Sequence, residues 1–191
     1  MEQEKTPANQ TILVLFSSRF GHAKRVAERM VQNLQAIGRT SECHDLETSP
    51  EFSYPVSEYA ACIVVASVRY GFFHKTVHQF VNNNLAHLNQ SVSVFMPICL
   101  IARKPEKRQI ETNVYARKFL EKTQWKPAIT SITAGELRYP MYNFFDRLMI
   151  QLIMKMSKGE TNPKAEHDYT DWEALVPLTR QIDEQIKARS C

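Results

Sequence analysis

A run of hydroxyl, basic and glycine residues near the start of the chain has the composition of an anion-binding loop. Residues 17–23 read SSRFGHA, so two hydroxyls and an arginine come before the single glycine of this segment. Hydroxyls, a guanidinium and consecutive backbone N–H groups are the donors that cradle a phosphate. We therefore predict that the whole loop binds phosphate: Ser17, Ser18, Arg19, Phe20, Gly21, His22 and Ala23. An ordinary strand–helix turn is the alternative interpretation.

The segments on either side of the loop are the ones that such a site requires. Residues 12–16 read ILVLF, which is typical of a strand buried on both faces. After the loop, apolar residues at spacings of three and four predict a helix: Val26, Ala27, Met30, Val31, Leu34 and Ile37. The first-turn N–H groups of a helix have no partner within it, and the helix dipole favours negative charge there. The loop is therefore expected at an anion-binding helix N-terminus.

Strand and helix patterns alternate along the rest of the chain. Further strands are predicted at 40–46, 61–66, 92–98 and 128–134, and a loop at 50–59. Helices are predicted at 75–88, 112–122 and 171–188, although Pro177 either bends the last helix or marks its true start. Five strands that alternate with helices predict an α/β fold with a parallel sheet. The phosphate loop then lies at the carboxyl ends of the strands, where such sheets bind ligands.

Size and composition limit the kind of protein. The 191 residues, of which 43% are hydrophobic, fit one globular domain, which we place at 12–191 behind a flexible leader at 1–11. We predict neither a signal peptide nor a membrane-spanning stretch. A net charge of +4 favours an anionic partner such as a membrane surface, a nucleic acid or an acidic small molecule. Four scattered cysteines predict reduced thiols in a cytoplasmic protein.

The loop differs from two common nucleotide-binding motifs and favours a mononucleotide. No Gly-Lys-Ser/Thr follows it and Gly21 stands alone, so it is neither a P-loop nor a G-x-G-x-x-G fingerprint. A short hydroxyl loop suits one phosphate, such as that of FMN. The flavin ring is expected against the loops after the third and fourth strands, which offer an aromatic face, a glycine and apolar backbone: Ser67, Val68, Arg69, Tyr70, Gly71, Pro97, Ile98, Cys99, Leu100, Ile101 and Ala102.

Some of these residues also have simpler explanations. Tyr70 contacts the ring or is a plain core aromatic, and Cys99 touches the flavin or fills buried space. His74 and His78 stand four residues apart, as metal ligands on a helix do. Because the sequence offers no third ligand, we predict surface histidines and no metal site.

The segment 135–169 does not belong to the alternating scheme. Within it, a helix is predicted at about 143–156, with a broad apolar face: Phe144, Phe145, Leu148, Met149, Leu152, Ile153 and Met156. A narrow polar stripe at spacing four, Arg147, Gln151 and Lys155, lies opposite. The helix either lies in a membrane interface, where it guides substrate and quinone, or packs on the sheet as core.

Several stretches together carry a resemblance to a known family. They read ILVLFSSRFGH, ASVRYGFFH, ARKPEKR, TNVYARKFL, AGELRYPMY, FDRLMIQLIMKMSKGET and YTDWE, and they cover most of the chain from residue 12 to 173. With them the chain resembles the flavodoxin-like, quinone-dependent protoporphyrinogen IX dehydrogenases of gammaproteobacterial haem biosynthesis. The resemblance implies a flavodoxin-like three-layer sandwich with sheet order 2-1-3-4-5 and an extra helical insertion after or within the last strand.

The resemblance also implies an activity. FMN would take hydrogen from protoporphyrinogen IX to give protoporphyrin IX, and the electrons would pass to menaquinone or ubiquinone. Because the flavin carries the redox chemistry, no catalytic side chain is required. The family implies peripheral attachment to the cytoplasmic face of the inner membrane and a role for the insertion in activity. Nucleic acid is not expected as a partner, and the oligomeric state, including a homo-oligomer, is left open.

Two positions depart from the family pattern. Ala23 stands where flavodoxin-like loops usually end in a phosphate-binding threonine, which removes a contact of about 1 kcal/mol and predicts weaker FMN binding. Phe20 stands where this family often has an acidic residue, and that loss favours an anion.

The substrate carries two propionates, for which the chain offers a basic loop and the start of the insertion. We predict that some of these residues hold the propionates through charge-assisted hydrogen bonds: Arg103, Lys104, Lys107, Arg108, Arg138 and Tyr139. A solvated basic face or a contact with anionic lipid is the alternative. Two other functions stay open, an NAD(P)H:quinone reductase and a flavin-free module that binds membranes or anions.

Overall fold

The central element of the fold is a parallel sheet. A computed structural model describes residues 10–48, 55–156 and 158–190, so residues 1–9 of the predicted leader and residues 50–54 of the predicted loop at 50–59 lie outside the described residues. The strands of the sheet are β1 (Ile12–Ser17), β2 (Ser41–Asp45), β3 (Ala61–Ser67), β4 (Val92–Cys99), β5 (Ile129–Thr130) and β6 (Thr133–Ala134). Their order is β2-β1-β3-β4-β5, all parallel, and β6 also pairs with β4. The predicted order is confirmed.

Helices cover both faces of the sheet, which makes three layers. The helices of the described chain that bear on the fold are α1 (His22–Ala36), α2 (Lys75–Asn83), α3 (Leu85–Gln90), α4 (Val114–Thr123), α6 (Leu175–Ser190) and, in the insertion, α5 (Phe144–Met156). The buried residues of α1 and α6 pack on one face, and those of α2, α3 and α4 pack on the other. The apolar runs of β1, β3 and β4 are buried throughout because they lie between these two layers.

Three predicted elements differ from the structure for local reasons. The predicted helix 75–88 is two helices, since the Asn84 side chain donates to the Phe80 carbonyl at 2.9 Å and ends α2. The predicted strand 128–134 is two short strands, and the gap between them lies opposite Met96 and Pro97 of β4. Proline has no N–H to donate to a ladder. The last helix begins at Leu175, so Pro177 lies in its first turn, where no donor is needed.

The insertion after β6 has a small core of its own. Strand β7 (Glu136–Arg138) pairs antiparallel with β8 (Glu166–Asp168), a pairing that the sequence did not predict. Between them lies α5. A third cluster of buried side chains holds this unit together: Leu137, Tyr139, Tyr142 and Met154. Phe20 of the phosphate loop and Leu100 of the loop after β4 pack against that cluster, which places the insertion beside the carboxyl edge of the sheet.

Helix α5 presents its apolar face outward. Phe144, Phe145 and Met156 are 73%, 77% and 79% exposed, and Leu148 and Leu152 are more than half exposed. The predicted alternative, that this face packs on the sheet as core, is therefore wrong. In the described part of the chain, no helix combines the length and the apolar character that crossing a membrane would demand.

Candidate functional site

A cleft opens at the carboxyl ends of β1, β3 and β4, with the insertion as its outer wall. It encloses about 970 Å³ of space, counted to its open mouth. Residues predicted from the sequence form most of its lining: Ser18, Arg19, Phe20, His22, Ser67, Val68, Arg69, Tyr70, Gly71, Ile98, Cys99, Leu100, Ile101 and Arg138. The sequence does not mark the other lining residues as site residues: Tyr115, Gly135, Glu136, Tyr142, Ile150 and Ile153. The loops that it grouped by their place after the strands thus share one cavity.

The phosphate loop has the features of an anion cradle. Gly21 precedes α1 with φ 83°, a left-handed conformation that glycine adopts without strain. No side chain caps this helix, so its first-turn N–H groups remain available to a ligand. The Ser18 hydroxyl is buried at the cleft and has no hydrogen-bond partner among the described residues. A buried polar group without a partner is costly, and a phosphate oxygen is a partner that fits.

Five residues predicted to contact the cofactor lie outside the cleft lining: Ser17, Gly21, Ala23, Pro97 and Ala102. The Ser17 hydroxyl donates to Glu47 Oε1 at 2.7 Å, on the far side of the strand end, because successive side chains alternate along β1. Ala23 is fully buried in the sheet–helix core. The side chains of these residues therefore do not face the cavity. Only their backbone groups could contact a ligand there.

The loop after β3 forms an aromatic tip beside the cleft. Arg69 and Phe72 exchange two backbone hydrogen bonds, of 2.7 and 2.9 Å, across Tyr70 and Gly71. Both central residues have positive φ, 50° and 89°, which is the geometry of a type I′ turn. Tyr70 is 41% exposed, so the predicted alternative of a plain core aromatic is wrong. Tyr115 of α4 lies beside this turn and supplies a second half-buried ring. Burial raises the pKa of its hydroxyl.

Two contacts join the phosphate loop to the insertion. Arg19 Nη2 lies 3.2 Å from Asp146 Oδ2, and this carboxylate side chain is only 4% exposed. The Phe20 ring lies 5.0 Å from the Tyr142 ring, centroid to centroid. Phe20 thus packs on the insertion while it also lines the cleft. The loop and the insertion form one continuous wall.

His22, the first residue of α1, has polar partners at both ring nitrogens. Its Nε2 lies 2.9 Å from Thr170 Oγ1, and that hydroxyl donates to the Ala134 carbonyl at 3.1 Å. Its Nδ1 lies 3.0 Å from Arg25 Nη2 and 3.4 Å from Glu136 Oε2. Arg25 also pairs with Glu136 Oε2 at 2.5 Å. This network ties the start of α1 to β7.

The protonation of His22 makes a pH dependence of stability testable. Desolvation by burial lowers the pKa of His22 below its ordinary value, against the opposing pull of Asp168 and Glu136. The unfolded chain then binds this proton more readily than the folded protein, so stability is lost as pH falls through about 6.5. We expect the thermal midpoint of the wild type to fall more steeply across that range than that of His22→Gln, measured by calorimetry.

The matched control is His87→Gln. His87 is exposed, so this variant should keep the wild-type pH profile. A wild-type profile in His22→Gln would contradict the assignment of a neutral His22.

The predicted propionate residues do not converge on the cleft. Arg103 Nη1 donates to the Leu100 carbonyl at 3.0 Å, and Arg108 Nε donates to the Ala102 carbonyl at 2.9 Å. Lys104 lies on the same loop outside the cleft lining. Tyr139 is fully buried, its hydroxyl donates to the Glu160 carbonyl at 2.8 Å, and burial raises its pKa to about 12. Only Arg138 of the predicted set lines the cleft, because the basic loop folds its guanidinium groups back onto its own carbonyls.

The cations that do line the cleft are Arg19, Arg69 and Arg138. Arg138 Nε lies 3.2 Å from both Glu136 Oε1 and Glu166 Oε2, which fixes its direction. A guanidinium has five N–H donors, so donors remain for a ligand. Arg69 side-chain exposure is 26%, and Glu47 lies 3.9 Å from it.

The remaining polar candidates carry no separate chemistry. Cys99 is buried in the cleft wall, where Asn113 Nδ2 donates to its sulfur at 3.3 Å and burial raises its pKa. Cys43, Cys62 and Cys99 are free thiols. His74 and His78 are half-buried rather than on the surface, and His78 packs on the Phe119 ring at 4.7 Å. Within the described ranges, no three potential metal ligands cluster.

Known proteins share both the fold and the sequence pattern of this chain. Residues 13–164 match the flavodoxin domain family. The chain is 41% identical over 170 residues to protoporphyrinogen IX dehydrogenase (quinone) of Escherichia coli strain K12, covering 89% of this chain and 93% of that protein. It is 38% identical over 163 residues to the protein of the same name from Leishmania major, covering 85% and 70%. An archaeal flavodoxin structure superimposes with a TM-score of 0.51 at 11% identity, covering 93% of this chain and 99% of that one.

Proposed function

The chain belongs to the flavodoxin-domain family of the quinone-dependent protoporphyrinogen IX dehydrogenases, which are oxidoreductases, and on that premise we propose its reaction. It oxidises protoporphyrinogen IX to protoporphyrin IX in haem biosynthesis with FMN as cofactor. The electrons pass to a membrane quinone, menaquinone or ubiquinone. One observation carries the proposal: an anion cradle and an aromatic, apolar wall line the same cleft. The insertion forms part of that wall.

Different residues of the cleft would bind the phosphate and the ring of FMN. The Ser18 hydroxyl and the first-turn N–H groups of α1 would hold the phosphate. The type I′ turn with Tyr70, together with Tyr115, would flank the ring. Bound FMN supplies the two-electron redox chemistry. Ile150 and Ile153 of α5 line the outer side of the cleft with apolar surface and would shield the ring from water.

The substrate would lie between this wall and α5, with its propionates towards the cleft arginines. Arg69 and Arg138 are placed for that role, whereas the guanidinium groups of the basic loop donate to backbone carbonyls. A guanidinium binds a carboxylate through two parallel hydrogen bonds, which fixes the carboxylate as well as attracting it. The chain thus orients the porphyrinogen through its acidic groups and needs no acid–base pair.

Removing the Arg138 guanidinium tests this assignment. We expect Arg138→Ala to raise the KM for protoporphyrinogen IX about tenfold, since a hydrogen bond to a charged group contributes about 1.5–3 kcal/mol. The FMN content per protein should stay at the wild-type level. Arg108→Ala is the comparison, because it removes the same charge from the basic loop outside the cleft. An unchanged KM in Arg138→Ala, or an equal rise in Arg108→Ala, would contradict a propionate contact at Arg138.

Attachment to the membrane completes the proposal. Helix α5 turns Ile150 and Ile153 to the cleft and Leu148 and Leu152 to the outside, so an apolar surface and the ring site share one helix. Lys155 and Lys158 are exposed at its end, where they suit anionic head groups. The protein would therefore lie peripherally on the cytoplasmic face of the inner membrane, and quinone and porphyrinogen would reach the cleft along α5.

A steady-state assay separates this reaction from its rivals. Purified protein, FMN, protoporphyrinogen IX and a menaquinone analogue are mixed without oxygen, and porphyrin fluorescence is followed against a blank without protein. We expect fluorescence to rise only when FMN and quinone are both present. A flat trace together with rapid bleaching of the flavin by NADPH would instead indicate an NAD(P)H:quinone reductase. A flat trace from a protein that binds no FMN would indicate a flavin-free binding module.

A further inference from the structure

The ion pair between the phosphate loop and α5 has an unusual environment. Asp146 is the third residue of α5, and its backbone N–H donates to Asn143 Oδ1 at 2.8 Å. The Asn143 side chain thereby caps the start of the helix. First-turn acids are common because they complement the helix dipole, but they are usually exposed. Here the Asp146 side chain is 4% exposed and points at Arg19. Its Oδ2 accepts no hydrogen bond among the described residues.

A phosphate in the loop competes with Asp146 for the same cation. Arg19 is the positive side chain of the cradle and lies 3.2 Å from Asp146 Oδ2. A bound phosphate adds negative charge to the loop that carries Arg19, whose partner Asp146 Oδ2 accepts no hydrogen bond among the described residues. Arg69 is a second cation whose charge acts on Asp146, and it also lines the cleft. Two anions that share one guanidinium in a partly buried site oppose each other, and a buried charge that loses its partner is strongly unfavourable.

We propose that Asp146 is a positioning residue through which the cofactor phosphate and the insertion helix act on each other. This inference rests on FMN as the cofactor. The phosphate draws Arg19 away from Asp146. The N-terminal turn of α5 then loses its ion pair with the phosphate loop. The wall formed by Ile150 and Ile153 is then freer to move aside for a large, flat substrate. Cofactor loading therefore prepares the cleft for the porphyrinogen.

The contacts around α5 confine this effect to the helix. The Phe20 ring lies 5.4 Å from the Arg19 guanidinium and 5.0 Å from the Tyr142 ring, so it holds the phosphate loop against β7 and its cluster while Arg19 changes partner. At the other end of α5, Met154 is fully buried in that cluster. The first turns of α5 are held by the Arg19–Asp146 pair, by the bond from the Asp146 N–H to Asn143 Oδ1 and by the bond from Arg147 Nη2 to the Tyr142 carbonyl at 3.3 Å.

Flavin titrations of the full-length chain test the coupling. We expect Asp146→Asn to lower the dissociation constant for FMN about fivefold or more, since coupling between sites is typically of that size. Riboflavin has the same ring without the phosphate, so its dissociation constant should stay within about twofold of the wild type. Glu184→Gln removes the same charge from an exposed position on α6 and should change neither value. A merely structural role of Asp146 would shift both flavins alike.

Hydrogen exchange supplies the reciprocal measurement. In the wild type, FMN should speed amide exchange in the first turns of α5, and in Asp146→Asn this effect of FMN should disappear. Weaker or unchanged FMN binding by Asp146→Asn, or an FMN-induced slowing of exchange in α5, would overturn the coupling. If the wild type binds no FMN, the cofactor assignment itself is wrong, and that outcome is distinct from failure of the coupling.

Discussion

Ser18→Asp is expected to raise the dissociation constant for FMN about a hundredfold or more. The Ser18 hydroxyl is buried at the cleft without a partner, beside the unpaired N–H groups that begin α1. A carboxylate there faces the phosphate directly, and like charges in contact cost several kcal/mol. Each 1.4 kcal/mol, roughly, raises the dissociation constant tenfold. Fluorescence titration of the flavin measures the change, because the fluorescence of FMN differs between the free and the bound state.

Two further variants make this result specific to the cradle. Ser18→Ala removes the hydroxyl without adding charge and is expected to weaken FMN binding about tenfold or less, the size of one hydrogen bond. Ser57→Asp adds the same charge at an exposed serine before β3, at the opposite edge of the sheet, and should leave FMN affinity unchanged. Wild-type affinity in Ser18→Asp would place the phosphate elsewhere.

The second large effect is expected on the outer face of α5. Leu148 and Leu152 are 57% and 52% exposed and one helical turn apart. Each leucine buried in the acyl region contributes about 1.5–3 kcal/mol, and a carboxylate opposes insertion. The double variant Leu148→Asp with Leu152→Asp should therefore lower partitioning into vesicles that contain anionic lipid about a hundredfold or more, measured by flotation.

The control for this variant keeps the charge change and moves it elsewhere. Ile37 and Val176 are 41% and 39% exposed, after α1 and in the first turn of α6. Ile37→Asp with Val176→Asp should float like the wild type. Equal flotation of both double variants would show that α5 does not carry the membrane contact.

The sheet and the position of the loop between β1 and α1 could be predicted because their signals are local. A continuous apolar run such as 61–66 has few explanations other than a buried strand, and the SSRFGHA loop carries its donors within seven residues. The order of the sheet came with the resemblance rather than from the pattern of the residues. The outward direction of α5 could not be predicted, because a broad apolar face is equally compatible with a core and with an interface.

The parts that could not be predicted depend on contacts between distant residues. Strands β7 and β8 have three residues each, most of them charged, and their hydrogen-bonded partners lie about thirty positions apart. No periodic pattern marks such a pair. The charge of the basic loop predicts a substrate contact, but Arg103 and Arg108 donate to carbonyls of their own loop and do not line the cleft. Tyr142 rather than Tyr139 lines the cavity, which depends on packing within the insertion.

The most direct test of the account is a single-turnover experiment on the FMN-loaded protein. The protein is mixed anaerobically with protoporphyrinogen IX in the absence of quinone, and flavin absorbance and porphyrin fluorescence are recorded together. Oxidation of protoporphyrinogen IX to protoporphyrin IX removes six electrons and each FMN accepts two, so the account predicts that the flavin bleaches on mixing before porphyrin accumulates. A menaquinone analogue then restores the oxidised flavin spectrum, and porphyrin fluorescence rises as the remaining electrons are removed. A flavin that stays oxidised in the presence of protoporphyrinogen IX would contradict the proposed reaction.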